Sequence, residues 1–446
     1  MPGSGPQFDR CLFSFPADGV SDSDAVADIK PSPVARKSSL LRVVLLVSCA
    51  HALVHLLEQS IASVEQVVSE EFLLTLQQSG WLSSALRLPY GVGALFAGLL
   101  ADRMGAKRVL VIYLTGAAFI CFSMRLTGTA SVIYLQLFAL GSFASMYHPA
   151  GLALIANSTT LSERSRALGL HGILGSLGIA SAPFLAGSLM YFPSVGWRGY
   201  YTFLGILCGS LACLIAVRLS ALQRKADESD VTVAAEPDSV QRLQRVPFSI
   251  LITAAAFGGI VYGGFLHFLK RYLSEVPSLQ FLADTSASNA ADSSASYLSA
   301  LVLVCGAFGQ WFAGRIARHD RLPQLLSCIF AANAPLLLWM SVAEGRQRLI
   351  ATCLFAFVHF MSQPVYNSLL PEFVPRAKRS TWYGFSNMMG FGVGAVGPWL
   401  VGSFGDRYQS AYVVLAVLAL VAAIMPLLLW RYQNAVKNQQ ADAGGE

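Results

Sequence analysis

The residues in this sequence that could do chemistry lie inside long apolar runs. His51, His55 and Glu58 follow one another at i, i+4 and i+7, with Gln59 beside them. That spacing puts the two imidazoles and the carboxylate on one face of a helix. Arg87 is the only base within the second run. Tyr147-His148-Pro149 and His171 follow in the fourth and fifth runs, and Tyr262 and His267 in the seventh. His359, Ser362, Gln363, Tyr366 and Asn367 form a polar stripe at helical spacing, and Tyr383, Ser386 and Asn387 occupy the next run. A charge held within a helix in lipid costs about 2.5–3.5 kcal/mol or more, so these groups should face a cavity. Burial raises a carboxylate's proton affinity and imidazole titrates near neutrality, so Glu58 is the first candidate proton carrier, with His55 its neighbour and His51 on the same face also a proton-coupling candidate. Arg87 would pair with Glu58 or contact an anionic solute; snorkelling to the interface is its structural alternative. His148, His171, Tyr262, His359, Gln363, Tyr366 and Asn387 are candidate substrate contacts, because uncharged hydrogen-bonding groups among aromatics suit an amphiphilic organic solute. For some of them the structural alternative is a bond to a neighbouring helix.

The chain must position these groups in a membrane. Of 446 residues, 54% are hydrophobic and 13% charged, against about 25% charged in soluble domains. Apolar runs of spanning length recur twelve times, near 40–63, 76–101, 107–125, 129–158, 164–190, 197–219, 248–274, 294–318, 323–343, 347–371, 377–405 and 409–431. A lipid-exposed backbone must bond within its own segment, so each run should be helical. The expected architecture is an all-α membrane protein with 12 transmembrane helices in two pseudo-symmetric six-helix bundles, 40–219 and 248–431. A polar tail (1–39), a cytoplasmic linker (220–247) and a second polar tail (432–446) complete it. The first 39 residues lack the apolar core of a secretory signal. With both termini inside, the inner loops carry sixteen Lys and Arg and the outer loops and flanks seven, so both ends are expected in the cytoplasm. The eight cysteines include no CxxC pair and read as small buried hydrophobes. No metal or other cofactor is assigned, and no nucleic-acid partner.

The second six-helix unit repeats the first. Pro149, Arg164, Ser165, Gly169, Gly175, Pro183 and Gly187 recur 215 residues later as Pro364, Arg379, Ser380, Gly384, Gly390, Pro398 and Gly402. Two parallel copies related by an axis along the membrane normal place a substrate site where they meet, near the midplane.

Between the second and third runs stands Gly98-Leu99-Leu100-Ala101-Asp102-Arg103-Met104-Gly105-Ala106-Lys107-Arg108. It resembles the loop between helices 2 and 3 of the major facilitator superfamily, G-x-L-A-D-R-x-G-R-K, with one base lost at Ala106. That resemblance implies secondary transport by alternating access, with Gly98, Asp102, Arg103, Gly105 and Lys107 latching one face. Gly178 to Gly187, centred on Pro183, resembles the glycine-proline motif of helix 5 in proton-coupled antiporters of that superfamily. Its copy around Pro398 joins it as a candidate gating element. The histidines of runs 1, 4 and 5 resemble those of fosmidomycin-resistance-type exporters. One feature departs from the antiporter pattern: Leu137 stands where many proton-coupled exporters carry an Arg. No P-loop, HExxH or GxSxG is present, so ATP coupling and hydrolysis are not expected. The expected function is proton-coupled efflux of a small organic solute by a monomer in the plasma (inner) membrane. A uniporter or importer of a carboxylate-bearing nutrient is the alternative, and a non-transporting sensor or scaffold is the alternative from another class.

Overall fold

The computed structural model describes residues 33–159, 161–192, 194–227, 242–276, 289–375 and 379–443. No strand occurs among them. The spans are α1 (Ser38–Glu71), α2 (Leu76–Ala101), α3 (Ala106–Leu126), α4 (Ala130–Leu152), α5 (Arg166–Met190), α6 (Gly196–Leu219), α7 (Arg245–Leu273), α8 (Ser293–Ile316), α9 (Leu322–Val342) and α10 (Arg346–Glu372). A broken span, α11, follows: a helix Arg379–Asn387, a π turn Met388–Gly392, a 3-10 turn Val393–Ala395 and a helix Val396–Gly402. The last span is α12 (Gly405–Gln439). With an even number of crossings, the described chain begins and ends on one face, here called the terminal face; the other is the far face.

The bundle divides into two sets of packed side chains. One apolar core is drawn wholly from residues between Leu40 and Leu219. Two others come from Phe248 to Leu429, joined by Ile179 and Ala180 of α5.

Two interruptions follow from proline. The helix of α4 breaks between Ala144 and Tyr147, and that of α10 between Phe360 and Ser362. Pro149 and Pro364 are each the third residue of the segment that follows. Each lacks the N–H that would continue the ladder, and its ring crowds the carbonyl four residues back. The breaks thus recur with the internal repeat. A third interruption, at Gln59 of α1, separates Pro33–Glu58 from Ser60–Glu71 and falls directly after Glu58.

The structure corrects the sequence reading at three places. The first run does not end at 63 but stays helical to Glu71: Glu65 is buried against Arg271 and Ser79, and Glu71 pairs with Arg198 at the exposed end. The last helix continues through the expected tail to Ala443; Ala, Gln and Lys propagate an existing helix without needing burial. Cys49, Cys213 and Cys328 are exposed on the surface, while Cys121 and Cys208 are buried.

Helices approach through backbone both within the second half and across the seam. A Cβ on Gly259 of α7 would lie 1.9 Å from the Gly390 carbonyl oxygen of α11, within the second half, and one on Gly80 of α2 2.4 Å from that of Pro398, across the seam. Small residues let helices in lipid approach this closely. Gly259→Ala must therefore force α7 and α11 apart, at about 1–3 kcal/mol, and should lower the thermal unfolding midpoint in detergent. Gly314→Ala, with open space around its Cβ, should leave the midpoint unchanged or raise it. Equal midpoints in the two variants would contradict the close packing.

Candidate functional site

Two linked features occupy the middle of the bundle: a buried cluster of ionisable groups and, beside it, a cavity. The break at Gln59 leaves Glu58 at the end of a helical segment, fully buried, with His55 one turn and His51 two turns before it. Glu58 Oε1 lies 3.0 Å from Arg87 Nη2 of α2, and Oε2 lies 2.8 Å from His55 Nδ1. His55 Nε2 faces His51 Nε2 at 3.1 Å. His51 Nδ1 is 2.7 Å from the His171 carbonyl oxygen of α5. His171 stacks on His51 with ring centroids 3.7 Å apart, and its Nε2 is 2.9 Å from Tyr147 Oη. His148 Nε2 is bound to Tyr90 Oη at 2.8 Å.

These partners fix where the protons lie. A carbonyl oxygen only accepts, so His51 Nδ1–H donates to His171. An ionised Glu58 only accepts, so His55 Nδ1–H donates to it. Both Nε2 atoms then point into one gap, and a single hydrogen must serve both. The chain of contacts from Glu58 to His171 is complete only when one extra proton is shared along it. Arg87, 1% exposed, is the least satisfied member: its Nε and Nη1 find no acceptor in hydrogen-bonding geometry. The guanidinium lies 5.0 Å over the Tyr262 ring.

Tyr262 forms the wall between that cluster and a cavity of about 160 Å³. The lining includes His55, Tyr262, His359, Ser362, Gln363, Tyr366, Asn367, Ser386 and Asn387, with Phe330, Phe360 and Phe391 as its apolar surface. Of the sequence-derived substrate contacts, Tyr262, His359, Gln363, Tyr366 and Asn387 border this space. Arg87, His148 and His171 belong instead to the buried cluster behind it. Asn333 holds His359 Nδ1 at 3.0 Å, Tyr366 Oη meets Ser386 Oγ at 2.5 Å, and Gln363 Oε1 accepts from Gln310 Nε2 at 2.7 Å. The π turn of α11 brings Gly390 and Phe391 to the same wall.

A second buried cluster joins the halves toward the far face and is missing from the sequence-derived site residues. Glu65 of α1, fully buried, accepts from Arg271 of α7 at 2.9 and 3.2 Å and from Ser79 of α2 at 2.6 Å. His267 Nε2 lies 3.2 Å from Ser79 Oγ, and Lys270 Nζ donates to the Ser63 carbonyl at 3.2 Å. The available signal was Glu65 itself, an acid seven residues beyond Glu58 and so on the same helix face.

The gating residues are distributed as follows. The helix of α2 runs on to Met104 and is capped by Gly105 with φ +82°, a conformation only glycine adopts freely. Arg103 is exposed, and Lys107 Nζ donates to the Ala216 carbonyl of α6 at 2.8 Å. Gly98 approaches Pro149. The side chain of Asp102 lies outside the described residues. Pro183 and Pro398 sit inside α5 and α11, both buried, Pro183 against the seam between the halves and Pro398 against Gly80.

Comparison with known proteins agrees with this architecture. The family profile described as Major Facilitator Superfamily matches residues 47–398. The chain is 24% identical over 218 residues to the "Probable L-galactonate transporter" of Escherichia coli (strain K12), covering 47% of this chain and 46% of that protein, about half its length. It is 24% identical over 396 residues to the "Cis,cis-muconate transport protein" of Acinetobacter baylyi, covering 84% of this chain and 89% of that protein. A crystal structure of a bacterial homolog of the human lysosomal transporter Spinster superposes with TM-score 0.66 at 16% identity, over 90% of this chain and 98% of that one. At that identity the likeness is one of fold.

Proposed function

The chain belongs to the Major Facilitator Superfamily, an integral membrane transporter of small solutes, and from that premise we propose that it carries a small organic carboxylate together with protons. The carrying observation is Arg87: a buried guanidinium behind the cavity wall formed by Tyr262, ion-paired to Glu58, with Nε and Nη1 outside hydrogen-bonding geometry with any acceptor. A substrate carboxylate entering beside Tyr262 competes with Glu58 for that cation. Protonating Glu58 removes the competitor, so anion and proton favour each other's binding. Positive coupling of this kind is reciprocal and produces symport, not exchange. It therefore supports uptake over the proton-exchanging efflux suggested by the helix 5 and histidine motifs. The galactonate and muconate named for two relatives are carboxylates, which supports the same class.

In this reading, 40–219 and 248–431 rock about the central cavity, the 220–247 segment joins them, and the 1–39 and 432–446 segments flank them. The monomer sits in the plasma (inner) membrane with both termini in the cytoplasm, as the Lys and Arg asymmetry supports. His55, His51 and Glu58 carry the proton; His359, Gln363, Tyr366 and Asn387 orient the body of the solute.

Proteoliposomes with an imposed pH gradient test this, using radiolabelled galactonate and muconate. Uptake should follow the inward proton gradient. Equal flux without the gradient would make the protein a uniporter. Outward movement against entering protons would restore antiport. Absence of flux for carboxylates, sugars and cationic drugs alike would favour the sensor or scaffold.

A further inference from the structure

The gap between His51 Nε2 and His55 Nε2 has the shape of a metal-ion site. We propose that His51, His55 and His148 bind a first-row transition-metal dication of the Zn²⁺ class. This goes beyond the carboxylate reading and does not depend on it.

Four observations carry the proposal. The two imidazoles are at i and i+4 on α1, so both project from one helix face, and their Nε2 atoms are 3.1 Å apart. A tetrahedral zinc ion with Zn–N bonds of about 2.0–2.1 Å spaces its nitrogens about 3.3 Å apart. The third ligand comes from α4: the ligand nitrogens of His51, His55 and His148 all lie within 4.8 Å of one another. Closure around an ion then requires His148 to move by up to about 1.5 Å.

The outer contacts are those a metal site uses. Metal-bound histidines donate the other ring N–H to a carboxylate or a backbone carbonyl, which fixes the tautomer and the ring. Here His55 Nδ1 is held by Glu58 and His51 Nδ1 by the His171 carbonyl. The His51 ring is further held by stacking on His171 at 13°. Both Nε2 lone pairs are thereby turned into the gap before any ion arrives.

Three neutral nitrogen donors select borderline ions such as Zn²⁺, Co²⁺ and Ni²⁺ over Mg²⁺ and Ca²⁺, which require oxygen. Three protein ligands leave a fourth position open. His55 also borders the cavity, so that position is on the solute side. The ion and the shared proton occupy the same gap and exclude each other.

The test is Co²⁺ titration of the untagged, purified full-length protein in detergent, read by visible absorption. One equivalent should bind, be displaced by Zn²⁺ and ignore Mg²⁺. His51→Ala and His148→Ala should each weaken binding at least about tenfold, while His267→Gln binds as wild type. If His148→Ala does not purify as a single species, His148→Gln replaces it, since it preserves volume and a hydrogen bond to Tyr90. No stoichiometric binding, displacement by Mg²⁺, or unchanged affinity in the His51 and His148 variants would overturn the site. Binding is read without flux: a protein that takes Co²⁺ but moves no carboxylate keeps this site and loses the transport reading. One that transports but takes no Co²⁺ does the reverse.

Discussion

Glu58→Gln is expected to reduce gradient-driven flux to background and to destabilise the protein by about 3–5 kcal/mol, the usual cost of removing one partner from a buried ion pair. Gln retains the shape and can still accept from His55 Nδ1, so the loss isolates the charge. What it leaves behind is Arg87, 1% exposed, with its ion-pair partner gone and two nitrogens already lacking acceptors. Arg87→Gln should be destabilising for the opposite reason, stranding a carboxylate. The double variant Glu58→Gln/Arg87→Gln should recover most of the stability, because neither residual group is charged, yet remain uncoupled. Thermal unfolding in detergent and flux in proteoliposomes read these two consequences separately. Gradient dependence surviving in Glu58→Gln would remove Glu58 from the coupling reading, whatever the stability shows.

Most of the architecture was legible because the bilayer leaves few choices. Twelve apolar runs must become twelve helices, and the 215-residue offset shared by Pro149 and Pro364 announced two copies of one unit, down to the matching helix breaks. The facing of His51, His55 and Glu58 followed from helical period alone. So did the stripe from His359 to Asn367, whose His359, Ser362, Gln363, Tyr366 and Asn367 all border the cavity. Partnership between helices was less legible. Sequence spacing could offer Glu58 as a partner for Arg87. It could not show that His171 stacks on His51, or that His148 turns to Tyr90 and away from the solute. Those contacts depend on rotations of α4 and α5 that many apolar patterns permit. The far-face cluster was hidden for a different reason. Glu65, Glu70 and Glu71 look like the onset of a loop, and Lys270 and Arg271 like the flank of another. Glu65 becomes an interior residue only when a base from the other half reaches it.

That cluster gives the second large effect: Glu65→Gln should open the far face. Glu65 is fully buried and receives two nitrogens of Arg271 and the Ser79 hydroxyl, so one carboxylate ties α1 to both α7 and α2. A forked guanidinium contact is directional as well as charged, and it closes the seam only while the halves are together at that end. Alternating access requires this contact to break in each cycle, so it should bias the resting state without being indispensable to folding. Arg271 is 21% exposed at its side chain, and water can solvate it once Glu65 is neutralised. The loss is therefore that of hydrogen bonds to a charged group, about 1.5–3 kcal/mol, and not of a stranded buried ion. A coupling near the upper end of that range is about 150-fold in a two-state equilibrium. Ala62, 7% exposed and lining the same seam beside Lys270, reports it. On a background without native cysteines, Ala62→Cys should resist a membrane-impermeant maleimide, and adding Glu65→Gln should make it react. Arg271→Lys, which retains charge but loses the fork, should fall between. Equal protection of Ala62→Cys in all three proteins would mean that the far face is held by glycine packing at Gly80 and Pro398, with Glu65 contributing nothing to the gate.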